Sequence, residues 1–346
     1  MQVLAGDIGG TTTRLIAAVI NDGKQQIIAE ESYPSADYNG LIQAIDRFLS
    51  QHAITTPIHA ACFAVAGPVE AGVSAVTNLP WVISEKQLSQ HLKTSRISLI
   101  NDFVAAAYGI STLGEDDTLM LQQGLAGNRT GTPPAVVIGA GTGLGVSHRV
   151  WLDDRYQAFP SEAGHAGFAP ENAGQTRLLA WLQKQHAHVS LEMLLSGQGL
   201  VTIYRFLHEV AGLPDTLGLA NNKVGSKGDD SVDSPQQADH ARLITEQALL
   251  EKDDLCQQTL NIFIDIYGAA ASNVALHYYP VDELYIAGGI APKIKTKMAE
   301  PRFIQAFLNK GVMSDNMKKI TIKLIIQDKV GLYGALAQAQ ALIRDR

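Results

Sequence analysis

Two glycine-rich turns, each set between short apolar runs, constrain this chain more than any other feature. The first reads Gly6-Asp7-Ile8-Gly9-Gly10-Thr11-Thr12, after the apolar residues 3–5 and before the run 15–20. The second reads Gly139-Ala140-Gly141-Thr142-Gly143-Leu144-Gly145, after residues 136–138 and before a second short run, 144–146. Ile8 to Thr12 can be laid over Gly139 to Gly143, which puts Thr11 and Thr142 in equivalent places. A strand, a Gly-Thr turn and a second strand therefore occur twice, once at the head of each half.

Such turns suit anions. Glycine lets the backbone approach a ligand closely, and successive backbone N–H groups in a turn form a concave donor nest. Threonine hydroxyls add donors. Asp7 brings a carboxylate to the first turn, suited to hold Mg²⁺ directly or through water beside a phosphate. A plain hairpin also uses Gly-Gly, but it needs neither the acid nor the two threonines. The second turn lacks the glycine spacing of a dinucleotide fingerprint. A P-loop is excluded too, because Gly23-Lys24 is followed by Gln25 and not by Ser or Thr.

Further apolar runs predict strands at 58–65, 97–100, 284–287 and 320–326. Apolar residues at 3–4 spacing (Leu41, Ile42, Ile45, Phe48, Leu49) predict a buried helix face. Leu191, Leu194 and Leu195, then Val201, Tyr204 and Leu207, predict more helix, and residues 332–343 predict a C-terminal one. Strands mixed with helices indicate an α/β protein, and 346 residues suggest two domains. The polar segment 221–240 reads as loop, with helix resuming near Ala241.

Composition narrows the function. Lys and Arg total 27 against 34 Asp and Glu, so the chain lacks the basic footprint of a nucleic-acid binder. Two cysteines, Cys62 and Cys256, exclude a disulfide scaffold and a four-cysteine zinc site, and read as buried small hydrophobes. The first residues show no secretory pattern, and polar residues interrupt the longest apolar stretch. A cytoplasmic protein is expected, so the Asn128-Arg129-Thr130 sequon is read as chance.

Several polar groupings bring hydrogen-bonding side chains together. Asn101-Asp102 ends an apolar run and precedes a helical pattern. One of the pair serves as an N-cap in the simplest reading; the other is then free to face a cleft at a strand's C-terminal end. Asp102 there can take a proton from a hydroxyl that attacks a phosphoryl group, even as a weak base of ordinary pKa. Glu162 and His165 are three apart in Ser161-Glu162-Ala163-Gly164-His165 and can point into one site. Glu192 reads as the opening of a helix with Leu191, Leu194 and Leu195 on its apolar face. Asn78, in Thr77-Asn78-Leu79-Pro80, is a weaker candidate that also fits a turn. Gly288-Gly289, after a predicted strand, lets an adenosine lie on the backbone or simply makes a tight turn.

In the same order, Gly6-Asp7-Ile8-Gly9-Gly10-Thr11, Asn101-Asp102-Phe103, the Gly139–Gly145 turn and Ala287-Gly288-Gly289-Ile290 resemble the bacterial glucokinase family, over nearly the whole chain. The resemblance implies an actin-like ATPase (ribonuclease H-like) α/β fold, with two domains around a central cleft. The small domain would be residues 1–112 completed by about 327–346, and the large one 113–326. It implies ATP-dependent phosphorylation of glucose at the 6-hydroxyl, the entry step of glycolysis. Asp102 would be the catalytic base. Asn78, Asn101, Asp102, Glu162, His165 and Glu192 would bind the sugar. Gly6, Asp7, Ile8, Gly9, Gly10, Thr11, Gly141, Thr142, Gly143, Gly288 and Gly289 would bind ATP, and Asp7 Mg²⁺. It also implies a homodimer. Related ROK kinases carry a cysteine-rich zinc motif after the matching histidine; here Ala166-Gly167-Phe168-Ala169-Pro170 follows, so no zinc is expected.

Three alternatives remain open at this point. A kinase for another hexose or an amino sugar would carry the same motifs. A sugar-responsive repressor of related fold would need a DNA-binding segment ahead of the first turn, where only residues 1–5 stand. An actin-like cytoskeletal ATPase or a polyphosphate hydrolase would leave Glu162, His165 and Glu192 without a purpose.

Overall fold

The apolar runs become strands wherever their residues find cover on both faces. The computed structural model describes residues 1–21, 24–125, 132–219 and 235–344. In chain order the elements are β1 (Gln2–Ile8), β2 (Thr12–Asn21), β3 (Lys24–Pro34), α1 (Leu41–Gln51), β4 (Ala60–Val65), β5 (Val73–Ala75), β6 (Val82–Ser84), α2 (Glu85–Leu92), β7 (Ile97–Asn101) and α3 (Asp102–Gly109). There follow β8 (Thr118–Gln122), β9 (Ala135–Ala140), β10 (Leu144–Leu152), β11 (Arg155–Ser161), α4 (Ala173–Leu182), α5 (Gly197–Ala211), α6 (Pro235–Leu249) and α7 (Asp254–His277). The chain closes with β12 (Glu283–Ala287), α8 (Lys295–Met298), α9 (Pro301–Leu308), α10 (Ser314–Met317), β13 (Thr321–Ile325) and α11 (Val330–Arg344).

The chain divides into two units. One contains Met1–Asp117, Trp151–Pro160 and Gln327–Arg346; the other contains Thr118–Val150 and Ser161–Ile326. The first is built on a sheet of order β3-β2-β1-β4-β7, with β1, β4 and β7 parallel and β2 and β3 antiparallel to their neighbours. The second is built on β10-β9-β12-β13-β8, where β9, β12 and β13 are again parallel and β10 is antiparallel to β9. The duplicated turns of the sequence are thus the β1–β2 and β9–β10 connections of two sheets that share a four-strand order, β2-β1-β4-β7 and β10-β9-β12-β13.

Cover explains the strand compositions. β4 is buried throughout, as a parallel strand with helices on both faces must be. One face of the first sheet packs on α1 and α2 through Leu41, Ile45, Phe48 and Leu88. The other packs on α11 through Leu332, Ala335, Leu336 and Ala339. Helix α11 lies so close to α3 that a Cβ on Gly334 would stand 1.8 Å from the Ala105 carbonyl oxygen. In the second unit, α5 and α7 supply the buried Tyr204, Phe263 and Tyr267. Gly268 lets α9 close on α7, since a Cβ there would meet the Phe303 carbonyl oxygen at 2.4 Å. Helix α7 is the one described helix long and apolar enough to cross a membrane, but 72% of its apolar stretch is buried inside the protein.

Three expectations change. Residues 191–195 are turns and not helix; α5 begins at Gly197, where Ser196 accepts from the Gly199 N–H. Leu191, Leu194 and Leu195 are buried nonetheless, so their apolar signal reports core and not periodicity. Helix α6 begins at Pro235, ahead of Ala241. Strands β3 and β11 are largely polar and add to the strands expected, because ladder pairing holds them where apolar patterning does not. Residues 22–23, 128 and 220–234 of the sequence arguments lie outside the described residues.

Candidate active site

In the first unit the turn after β1 is braced from behind. The Gly9 N–H donates to the Thr12 carbonyl at 3.0 Å, and the Ser35 N–H to the Thr11 carbonyl at 2.9 Å. The Ser35 hydroxyl donates to the Gly9 carbonyl at 2.8 Å and shares a 2.9 Å hydrogen bond with Thr13. Ser35 and Thr13 are fully buried, and neither stands out in the sequence. A Cβ on Gly10 would stand 3.0 Å from the Thr77 carbonyl and 3.3 Å from Asn78 Cβ, so Asn78 borders this turn. Asn78 holds a left-handed φ of 64°. Gly6 proves to be a packing residue inside β1: a Cβ there would press on Phe63 and Ile8 at 2.8 Å. The side chain of Ile8 is likewise buried in the core. The turn proper is therefore Gly9 to Thr11.

Asp7 and Asp102 share this unit. Asp7 faces Arg14 across the β1–β2 ladder, and Arg14 holds Asp328 through its carboxylate at 2.9 Å and its carbonyl at 2.6 Å. Burial raises the Asp7 carboxyl above its ordinary range, and the Arg14 charge opposes that. Asn101 is the N-cap of α3: its Oδ1 accepts from Phe103 N–H at 2.9 Å and Val104 N–H at 3.3 Å. Its Nδ2 donates to the Gly67 carbonyl at 3.2 Å. The capping role thus falls to Asn101, and Asp102 follows it at the start of α3, just past the C-terminal end of β7. Burial, then the charge of Asp7, pushes the Asp102 carboxyl up to about 7; the Phe103 N–H opposes the shift.

The second unit interlocks three segments. Glu192 Oε2 accepts from the Leu144 N–H at 2.9 Å, just past the second glycine turn. The Glu192 N–H donates to the Gly164 carbonyl at 2.9 Å, and Leu191 N–H to the Ala166 carbonyl at 2.9 Å. A Cβ on Gly164 would stand 2.2 Å from the Leu144 carbonyl. Glu162 precedes the short helix Ala163–His165 and His165 ends it, with Oε2 and Nε2 3.9 Å apart and both side chains exposed. His188 is exposed and donates from Nε2 to the His165 carbonyl at 2.9 Å.

The remaining glycines hold the same turn. Gly288 has φ 81°, and a Cβ there would stand 2.4 Å from the Ala140 carbonyl oxygen, so only glycine fits. The Ala140 carbonyl accepts from Ile290 N–H at 3.2 Å. A Cβ on Gly141 would lie 3.8 Å from the Gly289 nitrogen, which places the two turns side by side. The Gly141 carbonyl accepts from Gly197 N–H at 2.9 Å. Tyr267, buried on α7, accepts from the Ala140 N–H at 3.0 Å.

Chains similar to this one along nearly their whole length are found among known proteins. A family model described as Glucokinase matches residues 4–342. The glucokinase of Nostoc sp. is 40% identical over 343 residues, covering 98% of this chain and 99% of the relative. The chain belongs to the glucokinase family. The solved structure of a glucokinase from an Antarctic psychrotroph is 31% identical, with a TM-score of 0.79 and coverage of 98% and 99%. A ROK family glucokinase from Streptomyces griseus, solved with glucose and AMPPNP, is 17% identical with a TM-score of 0.61 over 99% and 100% of the two chains. It shares the fold, the actin-like ATPase architecture expected from the sequence.

Within the glucokinase family framework, the predicted residues fall into two groups. Asp7, Gly9, Gly10, Thr11, Asn78, Asn101 and Asp102 gather in the first unit. Gly141, Thr142, Gly143, Glu162, His165, Glu192, Gly288 and Gly289 gather in the second. The braces Ser35, Thr13 and Tyr267 escape sequence reasoning because a buried serine or tyrosine carries no spacing signal.

Proposed function

We propose that the chain transfers the γ-phosphoryl group of ATP to the 6-hydroxyl of glucose, giving glucose 6-phosphate and ADP. The carrying observation is Asp102, a partly buried carboxyl with its pKa lifted to about 7 at the end of β7. A base poised near the working pH accepts a proton more effectively than one of ordinary pKa. The 6-hydroxyl proton passes to Asp102 as the oxygen bonds to the γ-phosphorus and the bond to the ADP oxygen breaks. Gly9 to Thr11 and Gly141 to Gly143 would hold phosphate oxygens by backbone N–H groups, and Gly288-Gly289 would carry the adenosine. Glu162, His165, Glu192, Asn101 and Asn78 are assigned to the sugar hydroxyls; Asn101 acts also as the cap that aims Asp102.

Bound Mg²⁺ neutralises phosphate charge in such transfers. Asp7 would hold it: its carboxylate stands near the end of β1, beside the Gly9–Thr11 turn, and one carboxylate suits an ion held mainly by water and phosphate. Family membership supports a place at the entry of glycolysis, in the cytoplasm, as a homodimer. A coupled ADP-release assay with ATP and glucose tests the activity, with an ATP-only control and a panel of hexoses and amino sugars. Sugar-independent ATP turnover would overturn the reading, and a faster rate with another hexose would reassign the substrate.

A further inference from the structure

Glu192, assigned above to the sugar hydroxyls, also ties two segments of the second unit together. Its Oε2 is committed to the Leu144 N–H at 2.9 Å, at the point where the second glycine turn passes into β10. Its Oε1 makes no hydrogen bond among the described residues. The carboxylate also fills the space beside Gly143, where a Cβ would stand 2.4 Å from Oε2. The backbone of Glu192 is pinned separately, through its N–H to the Gly164 carbonyl. The side chain is therefore a strut between the Glu162–His165 segment and the phosphate turn, with one oxygen free. A carboxylate bonded to a backbone N–H is among the stronger hydrogen bonds a loop can receive.

We propose that Glu192 is a positioning residue of the phosphate turn, through which sugar on Oε1 and nucleotide on residues 141–143 tighten one another's binding. This coupling rests on the phosphotransfer reading above; the strut itself does not. A sugar hydroxyl donating to Oε1 restrains the carboxylate and with it the Leu144 N–H. The turn is then pre-ordered for phosphate, and less ordering remains to be supplied when nucleotide arrives. The effect is reciprocal, as any coupling of binding free energies must be.

The test compares wild type with Glu192→Ala, Glu192→Gln and Gly143→Ala. In the protein without ligands, amide hydrogen exchange at Leu144 is read first. Glu192→Ala removes the acceptor, and exchange there should speed up roughly tenfold or more. Glutamine still offers an oxygen, so Glu192→Gln should stay within about threefold of wild type, a rescue that general loosening would not give. Gly143→Ala should speed Leu144 exchange by displacing the carboxylate, yet add nothing in a Glu192→Ala background. Calorimetric titration with Mg²⁺-AMPPNP, without and with glucose, is read second. Glu192→Ala should weaken nucleotide binding without sugar roughly tenfold, and glucose should no longer tighten it.

Unchanged Leu144 exchange and unchanged sugar-free nucleotide affinity in Glu192→Ala would overturn the proposal. So would simple additivity of Gly143→Ala and Glu192→Ala. If the wild type binds neither glucose nor AMPPNP, the phosphotransfer reading and the coupling fail together, while Leu144 exchange still decides the strut. Should Glu192→Ala not fold, Glu192→Gln and Gly143→Ala decide it by the same exchange measurement.

Discussion

Replacing Asp102 by asparagine separates its chemistry from its place in the fold. The variant keeps the shape and can still accept from the Phe103 N–H, which lies 2.9 Å from Asp102 Oδ1. Asn101 continues to cap α3. Turnover should fall roughly 10²- to 10⁴-fold, the usual range for losing a general base. Stability should move the other way. The folded carboxyl sits at about 7 against an ordinary 3.8. A raised folded pKa means that the group's contribution is intact below about pH 4 and is lost as pH rises through about 7, because the folded protein must then ionise a carboxyl the unfolded chain ionises easily. Three pKa steps correspond to ~4 kcal/mol; Asp102 keeps some solvent contact, so about half that, ~2 kcal/mol, is the working figure. Denaturant titrations should therefore show Asp102→Asn and wild type close together near pH 4. By pH 8 the variant should be more stable by about 2 kcal/mol. In wild type, kcat/KM should rise between about pH 6 and 8, since only the ionised carboxylate accepts a proton. A variant that keeps more than a tenth of wild-type turnover would refute the reasoning. A wild-type profile flat over that pH range, with no pH-dependent stability difference, would refute it equally.

Three other substitutions test the braces. Tyr267→Phe strands the Ala140 N–H in the core, which should cost ~1–3 kcal/mol in denaturant titration and raise the KM for ATP more than that for glucose. Gly288→Ala forces a residue with Cβ into φ 81° and against the Ala140 carbonyl, so a loss of ~1–3 kcal/mol or more and weakened AMPPNP binding by calorimetry are expected. Ser35→Ala removes the hydroxyl that holds the Gly9 carbonyl and Thr13; a loss of ~1–2 kcal/mol and a raised KM for ATP should follow, with little change in glucose binding to the nucleotide-free protein.

Sequence alone determined the parts that rest on local physics. Glycines flanked by apolar runs specify a strand, a tight turn and a strand wherever they occur, so the duplicated topology of β1–β2 and β9–β10 is legible in the residue order itself. The Asn101-Asp102 pair is legible for the same reason, because an N-cap is a contact within three residues. Glu192 reads as helical in the sequence and is not, because buried leucines at 3–4 spacing fill a core from turns as well as from helices. Only the tertiary structure decided which partners these residues meet. Glu192 reaches Leu144 across 48 residues of chain, and Tyr267 reaches Ala140 across 127. The raised pKa of Asp102 arises from burial and from the charge of Asp7 on a separate strand. Hydrogen bonds, desolvation and charge coupling depend on distance in space, and distance in space between remote residues is what the packing of the core, and no spacing in the chain, sets.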